Sequence, residues 1–166
     1  MRLFHSFAFA TACAIAGDQL SAQAAQRGIT PVEAINAAAE AATTSERVVR
    51  GVFEMPVRAT GRQDSLLYLN SELDYRDQRS LTVAITPNAE KALQERFGAD
   101  LALALTGKRI RVTGAAQRVT IWFFCDGKRT DKYYFQTHVP VLRADQLTVV
   151  EGNGASRTQD TPIGDR

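Results

Sequence analysis

Two aromatic runs, Trp122-Phe123-Phe124 and Tyr133-Tyr134-Phe135, stand on either side of Asp126-Gly127 and hold six of the chain's 13 aromatic residues. Aromatic side chains favour extended backbone, and Asp-Gly reverses a two-stranded ribbon through positive φ. The stretch therefore reads as a hairpin whose polar tip carries Lys128, Arg129 and, just beyond, Lys132. A lone hairpin is marginal in water and needs a larger sheet to grow from, so the chain is constrained to a β-rich fold. Aromatics interleaved with Lys and Arg suit a surface that stacks nucleobases or sugars, but aromatic cross-strand pairs also simply stabilise a sheet. By alternation, Trp122 and Phe124 point one way and Phe123 the other, while Tyr133 and Phe135 oppose Tyr134; about half of the cluster is expected in the core.

The remaining sequence supplies that sheet. Residues 49–61 read as a strand interrupted by Pro56, which suits an edge or a bend. A turn at residues 61–64 leads to a strand over 65–70, and the polar stretch 71–80 leads to the cleanly alternating 81–86. Thr86-Pro87 starts a helix with Ala89, Ala92, Leu93 and Phe97 on one face, which Gly98 closes. Residues 100–106 fit a strand by the spacing of Leu101, Leu103 and Leu105 and a helix by composition, and are read as a packed connector. Alternation resumes at 107–114 with Ile110 and Val112 on one face and Arg109 and Arg111 on the other. It runs on past Gly114 to Phe124, returns over 132–142, and ends with 146–150.

Ahead of the sheet, Thr30-Pro31-Val32-Glu33 is a capping-box start for a short helix over about 31–43, a lead-in to the domain in which Val32 and Ile35 give a weak apolar face. Residues 1–24 read as a secretory signal peptide: Arg2, an apolar run over 3–16, and Ala22-Gln23-Ala24 as the cleavage site. Cys13 lacks the large aliphatic residue three places earlier that lipid attachment favours. After cleavage, Cys125 is the sole cysteine, so no intramolecular disulfide forms, and it is expected as a partly buried small hydrophobe rather than a free thiol. No segment approaches the roughly 20 apolar residues of a membrane-spanning helix. The organisation expected is thus signal peptide 1–24, helical lead-in 25–47, one domain over 48–151 and a disordered tail over 152–166, in a protein exported to the periplasm or secreted.

Three meandering strands, a helix and further strands is the element order of the OB-fold. The wording also resembles small OB-fold domains of exported bacterial proteins, in Tyr68-Leu69-Asn70-Ser71, Asp74-Tyr75-Arg76-Asp77, Leu81-Thr82-Val83-Ala84-Ile85, the run from Leu105 to Gly114, and Asp145-Gln146-Leu147-Thr148-Val149-Val150. The resemblance covers residues 48–150 and departs from the usual pattern in the long aromatic hairpin. It implies a mainly β, five- to six-stranded OB-like Greek-key barrel with one helix between strands 3 and 4, beside the short N-terminal helix. It also implies ligands of the oligonucleotide or oligosaccharide class on strands 2 and 3.

The net charge of +2 is too small to argue for nucleic acid by itself. His138 is the only histidine after residue 24, so His-based metal or triad chemistry has one participant, and a hydrolase is a third reading behind two binding readings. Glu72, Asp74 and Asp77 cluster with Arg76 and Arg79, a pattern read as a self-tied turn rather than an acid/base or Ca²⁺ site. No Walker-type or dinucleotide-type glycine pattern occurs, and no cofactor is expected. The candidate ligand-binding residues are Arg58, Tyr68, Arg109, Arg111, Arg118, Trp122, Lys132 and Tyr134, extended by Arg62, Lys128 and Arg129. They make the chain a non-enzymatic binding module for an oligomeric or anionic ligand, single-stranded nucleic acid or anionic glycan. The alternative is a protein-interaction or assembly module that uses the aromatic hairpin to hold a protein partner.

Overall fold

The computed structural model describes residues 27–150; the expected signal peptide and tail lie outside them. Three helices and seven strands follow in the order α1 Pro31–Ala41, β1 Val48–Pro56, β2 Ala59–Gln63, β3 Leu66–Asn70, β4 Leu81–Ile85, α2 Pro87–Phe97, α3 Leu101–Leu105, β5 Arg109–Cys125, β6 Lys128–Val141 and β7 Leu147–Val150. A 3-10 turn, Ala144–Gln146, precedes β7. All the strands belong to one mixed sheet of order β1-β5-β6-β4-β3-β2, with β7 on β5. β4 and β6 are parallel and every other pair is antiparallel.

The expectation of a β-rich fold holds, with two departures. There are seven strands rather than five or six, because the long first strand breaks where Pro56 offers no N–H. Beyond it the chain changes neighbours: Val57 N–H donates to the Lys108 carbonyl and its carbonyl accepts from Gly107, both at 2.8 Å, whereas Arg58 N–H donates to the Asn70 carbonyl of β3 at 2.9 Å. The two ends of the sheet path, β1 and β2, are thus consecutive in the chain, but the path itself is not closed. The second departure is the connector, which is helix α3, because the Asp100 carboxylate accepts from Leu103 N–H at 3.0 Å and starts a turn.

Burial follows the alternation. Phe53, Met55, Leu67, Leu69, Ile110, Val112, Val139 and Val141 point into one core, and β4, flanked by β3 and β6, is buried along its whole length. Leu93 of α2 and Leu101 and Leu105 of α3 pack against that core. The Thr30–Glu33 capping box forms as its spacing predicts. The face that α1 buries differs from the weak Val32/Ile35 face: Ala34 and Ala38 are fully buried and Val32 is exposed. Small residues four apart let the helix backbone approach the sheet closely, a gain that apolarity alone does not signal. α1 is anchored by its leading segment too, since Ile29 exchanges backbone hydrogen bonds with Val52 and Glu54 at 2.8 and 2.9 Å.

Two glycine-sensitive positions test this packing. A Cβ on Gly28 would lie 2.5 Å from Glu54 Cβ, so Gly28→Ala is expected to destabilise the domain by about 1–3 kcal/mol in denaturant unfolding. The β2–β3 turn places Asp64 and Ser65 at φ of 50° and 68° between the Gln63↔Leu66 rung. Ser65→Gly removes the side-chain penalty of that conformation and is expected to stabilise by roughly 0.5–1 kcal/mol in the same assay.

Candidate functional site

The hairpin forms where the sequence places it, turning through Asp126 and Gly127, both at positive φ, between Cys125 and Lys128. It is a ribbon that outruns the rest of the sheet: β1 follows β5 only as far as Gln117, and β4 follows β6 only from Thr137 onward. The expectation that half of its aromatics are core is therefore overturned. Trp122, Phe123, Phe124, Tyr133 and Phe135 are all exposed, and only Tyr134 is half-buried. Cys125 is likewise an exposed free thiol rather than a partly buried one.

Alternation gives the ribbon two unlike faces. On the side that continues the core, Trp122 packs on Tyr133 with ring centres 5.1 Å apart, and Tyr133 packs on Phe135 at 5.3 Å. Arginines close both ends of this row, Arg118 3.5 Å above the Phe135 ring and Arg129 4.7 Å above Trp122. On the opposite side, Phe123 packs on Tyr134 at 5.4 Å, and the surface continues down the outer face of β6, β4, β3 and β2. There a cleft of about 460 Å³ is lined by Tyr68, Tyr75, Tyr134, Gln136, His138 and Arg62, among others.

A hydrogen-bond chain fixes the cleft's floor. The Gln136 amide donates to the Tyr75 carbonyl at 3.0 Å and to Tyr134 Oη at 3.2 Å. Its Oε1 is left as acceptor for His138 Nε2 at 2.7 Å, so the neutral imidazole carries its proton on Nε2. Burial pushes the His138 pKa down to about 4, which keeps the ring uncharged, and Tyr68 lies against it at 5.9 Å. Burial also raises the pKa of Tyr68 and Tyr134, so both remain hydroxyl donors. Further down, Thr82 Oγ1 donates to Asn70 Oδ1 at 2.9 Å.

The cleft's guanidinium, Arg62, is neutralised by a two-point contact with Glu90 of α2, one bond at 3.1 Å and a second, shorter one. Glu90 is buried, and nothing in the helical pattern marked it as the partner of a strand arginine 28 residues earlier. At the cleft's rim the acidic loop is tied to itself, Asp74 by Arg76 and Asp77 by Arg79. The Arg79 guanidinium and backbone N–H hold the Asp77 carboxyl down to about 2.

The predicted site residues thus divide. Tyr68 and Tyr134 meet in the cleft. Arg118 and Trp122 sit on the opposite face of the ribbon, and Lys132 is exposed near its tip. Arg58 pairs with Glu72 at 3.1 Å, and Arg109 and Arg111 both pair with Glu54 of β1, at 3.5 and 2.8 Å. The arginine face expected on β5 is therefore satisfied within the sheet and does not join the aromatics. Tyr75, Gln136 and Asn70 were missed as cleft residues; for Asn70 and Gln136 the signal was the same alternation that placed Tyr68, read across strands that are not neighbours in sequence, whereas Tyr75 comes from the loop after β3, where no period applies.

No family model and no curated protein matches this chain. Among solved structures, it is similar to an aspartyl tRNA synthetase from Entamoeba histolytica, at 11% identity and a TM-score of 0.33, over 61% of this chain and 18% of that one. The chain spans under a fifth of that protein's length, and a likeness this slight carries no argument about fold or function.

Proposed function

We propose that this protein is an exported, non-enzymatic binding module with an OB-like Greek-key architecture, and that its cleft takes an oligosaccharide. The architectural part is supported by the strand order, with β1 and β2 joined through Val57 and Arg58 and β4 parallel to β6. The ligand class rests on one observation: the cleft combines the rings of Tyr68, Tyr75 and Tyr134 with amide and hydroxyl groups, while its cation is paired with Glu90. Sugars offer apolar ring faces for aromatic contact and hydroxyls for amide donors and acceptors. A polyanion would need unpaired cations, as phosphate contacts dominate nucleic-acid affinity. The non-enzymatic part is supported by a neutral His138 held by Gln136 and by carboxylates engaged with arginines of their own loop. A second reading, a protein-interaction module, is favoured by the five exposed aromatics of the ribbon. Under it, Trp122→Ala abolishes partner capture and leaves the cleft intact.

Calorimetric titration with uncharged hexasaccharides of glucose and N-acetylglucosamine, beside a single-stranded oligothymidylate, tests the first reading. Sugar binding that is insensitive to salt and weakens about tenfold or more in Tyr68→Ala and Tyr134→Ala is expected. Binding of the oligonucleotide alone, steeply weakened by salt, would replace the sugar with nucleic acid.

His138 also sets a pH dependence. Its folded-state pKa, about 4, lies below the ordinary 6.5, so the unfolded chain binds the proton more readily. Its contribution to stability is complete above the ordinary value and is lost as the pH falls from there through the folded value, on the order of 2–3 kcal/mol in all. Denaturant unfolding of His138→Gln is expected to show a shallower loss across that window than the parent; an unchanged profile would show that the ring is not desolvated.

A further inference from the structure

The two edges of the ribbon differ in a way that neither reading above uses. β6 is free over residues 128–136, and its outer stretch carries Lys128, Arg129, Asp131 and Lys132, charges that discourage another strand from pairing there. β5 is free over residues 118–125 on the side where β1 stops at Gln117. That edge reads Arg118-Val119-Thr120-Ile121-Trp122-Phe123-Phe124-Cys125, eight residues with no proline, no glycine and a single charge at the foot. An exposed strand of β-branched and aromatic residues with a row of unpaired backbone groups is a template for another strand.

We propose that residues 118–125 pair antiparallel with the same residues of a second copy of this chain about a twofold axis, fusing two ribbons into a four-stranded sheet. This deepens the ribbon reading above by committing to the partner. Three observations favour a second copy over a foreign strand. First, a twofold partner brings an identical unblocked edge, and the two β6 strands then lie on the outer sides of the four-stranded sheet, so that only their tip residues come near the second copy. Second, the register that sets Arg118 opposite Asp126 of the second copy places Trp122 on the axis, and neither Arg118 nor Asp126 has an ion pair within the described residues of its own chain. Third, that register brings the tip cations Lys128 and Arg129 of each ribbon to the foot of the other. There Glu40 and Glu46 line a depression of about 660 Å³ beside Val48, the residue at which β1 begins. The seam also places Thr120 across from Phe124 of the other copy, and the aromatic rows of both faces continue from ribbon to ribbon, which covers rings that the single chain leaves in water.

Light scattering of the full chain over a dilution series is expected to give twice the chain mass, falling to the single mass on dilution. Thr120 and Phe124 are exposed in the single chain, so Thr120→Lys with Phe124→Lys leaves the circular dichroism spectrum unchanged while it sets lysine against lysine across the seam; a monomer at every concentration is expected. Asp126→Asn, which keeps a side chain tolerant of positive φ, is expected to weaken dimerisation several-fold. A Val119→Cys variant, which sets the new thiol across from Cys125 of the second copy and keeps Trp122, should form an intermolecular disulfide under mild oxidation, whereas the parent, whose Cys125 faces Val119, should not. A parent that is monomeric throughout, or a dimer that the lysine pair leaves intact, overturns the proposal. Tyr68→Ala must leave the mass unchanged, which separates a failure of this interface from a failure of the sugar reading.

Discussion

The length of β5 is the constraint on which the rest of the structure depends. Its 17 residues bring Ile110, Val112 and Ala116 into the core, and no neighbour is long enough to cover both of its sides. β1 takes one side from Arg109 to Gln117; β7 takes the other from Arg109 to Val112, and β6 resumes there at Gln117. Because β6 enters beside the middle of β5, its far end is delivered next to β4, which it meets in parallel from Thr137 to Val141. The corner at Val57 and Arg58 follows as well, since the strand that leaves β5 has only the free side of β3 to join. The overhanging ribbon is what remains of β5 and β6 once the core has used what it needs.

Alternation along that overhang divides its chemistry. Side chains in phase with Ala116, Thr137 and Val139 emerge from the core as Arg118, Trp122, Tyr133 and Phe135 and find only each other. Arginine stacked on an exposed ring contributes on the order of 0.5–1 kcal/mol, enough to hold the guanidiniums flat but not to justify so much apolar surface in water. Side chains in the other phase meet the loop after β3 and the outer face of β3 and β4, and there the polar groups are satisfied by one another. One hairpin thus contributes a wall to a neutral cleft and, from its other face and its edge, an unpartnered apolar surface.

What the sequence made legible was local. The Thr30–Glu33 capping box, the Asp126-Gly127 reversal, the Pro56 break and the alternating strands are all set by neighbours within a few residues, and each appears in the structure. What it hid was decided by pairing across long separations. Arg109 and Arg111 look free until β1 lays Glu54 beside them, and Arg62 looks free until α2 brings Glu90. The aromatic run looked half-buried because alternation predicts which way a side chain points, not whether the sheet extends far enough to cover it. Residues 100–106 were undecidable by period because their leucines satisfy both, and one aspartate hydrogen bond chose the helix.

These long-range pairs set the charge of the surface more than they set stability. An ion pair open to solvent contributes about 0–1 kcal/mol, so Arg58, Arg109 and Arg111 add little to the fold through theirs, whereas Arg62 keeps the buried Glu90 carboxylate from standing unpaired. What they do is remove charge from the field that a ligand meets. With Arg58, Arg62, Arg109 and Arg111 neutralised, the sheet face that carries the tyrosines has lost the cations that a phosphate chain would release counterions to reach, while Arg118, Lys128, Arg129 and Lys132 of the ribbon keep theirs. A chain whose composition suggests one weakly basic surface therefore presents a face whose cations are paired and one whose cations are not, divided by a single hairpin.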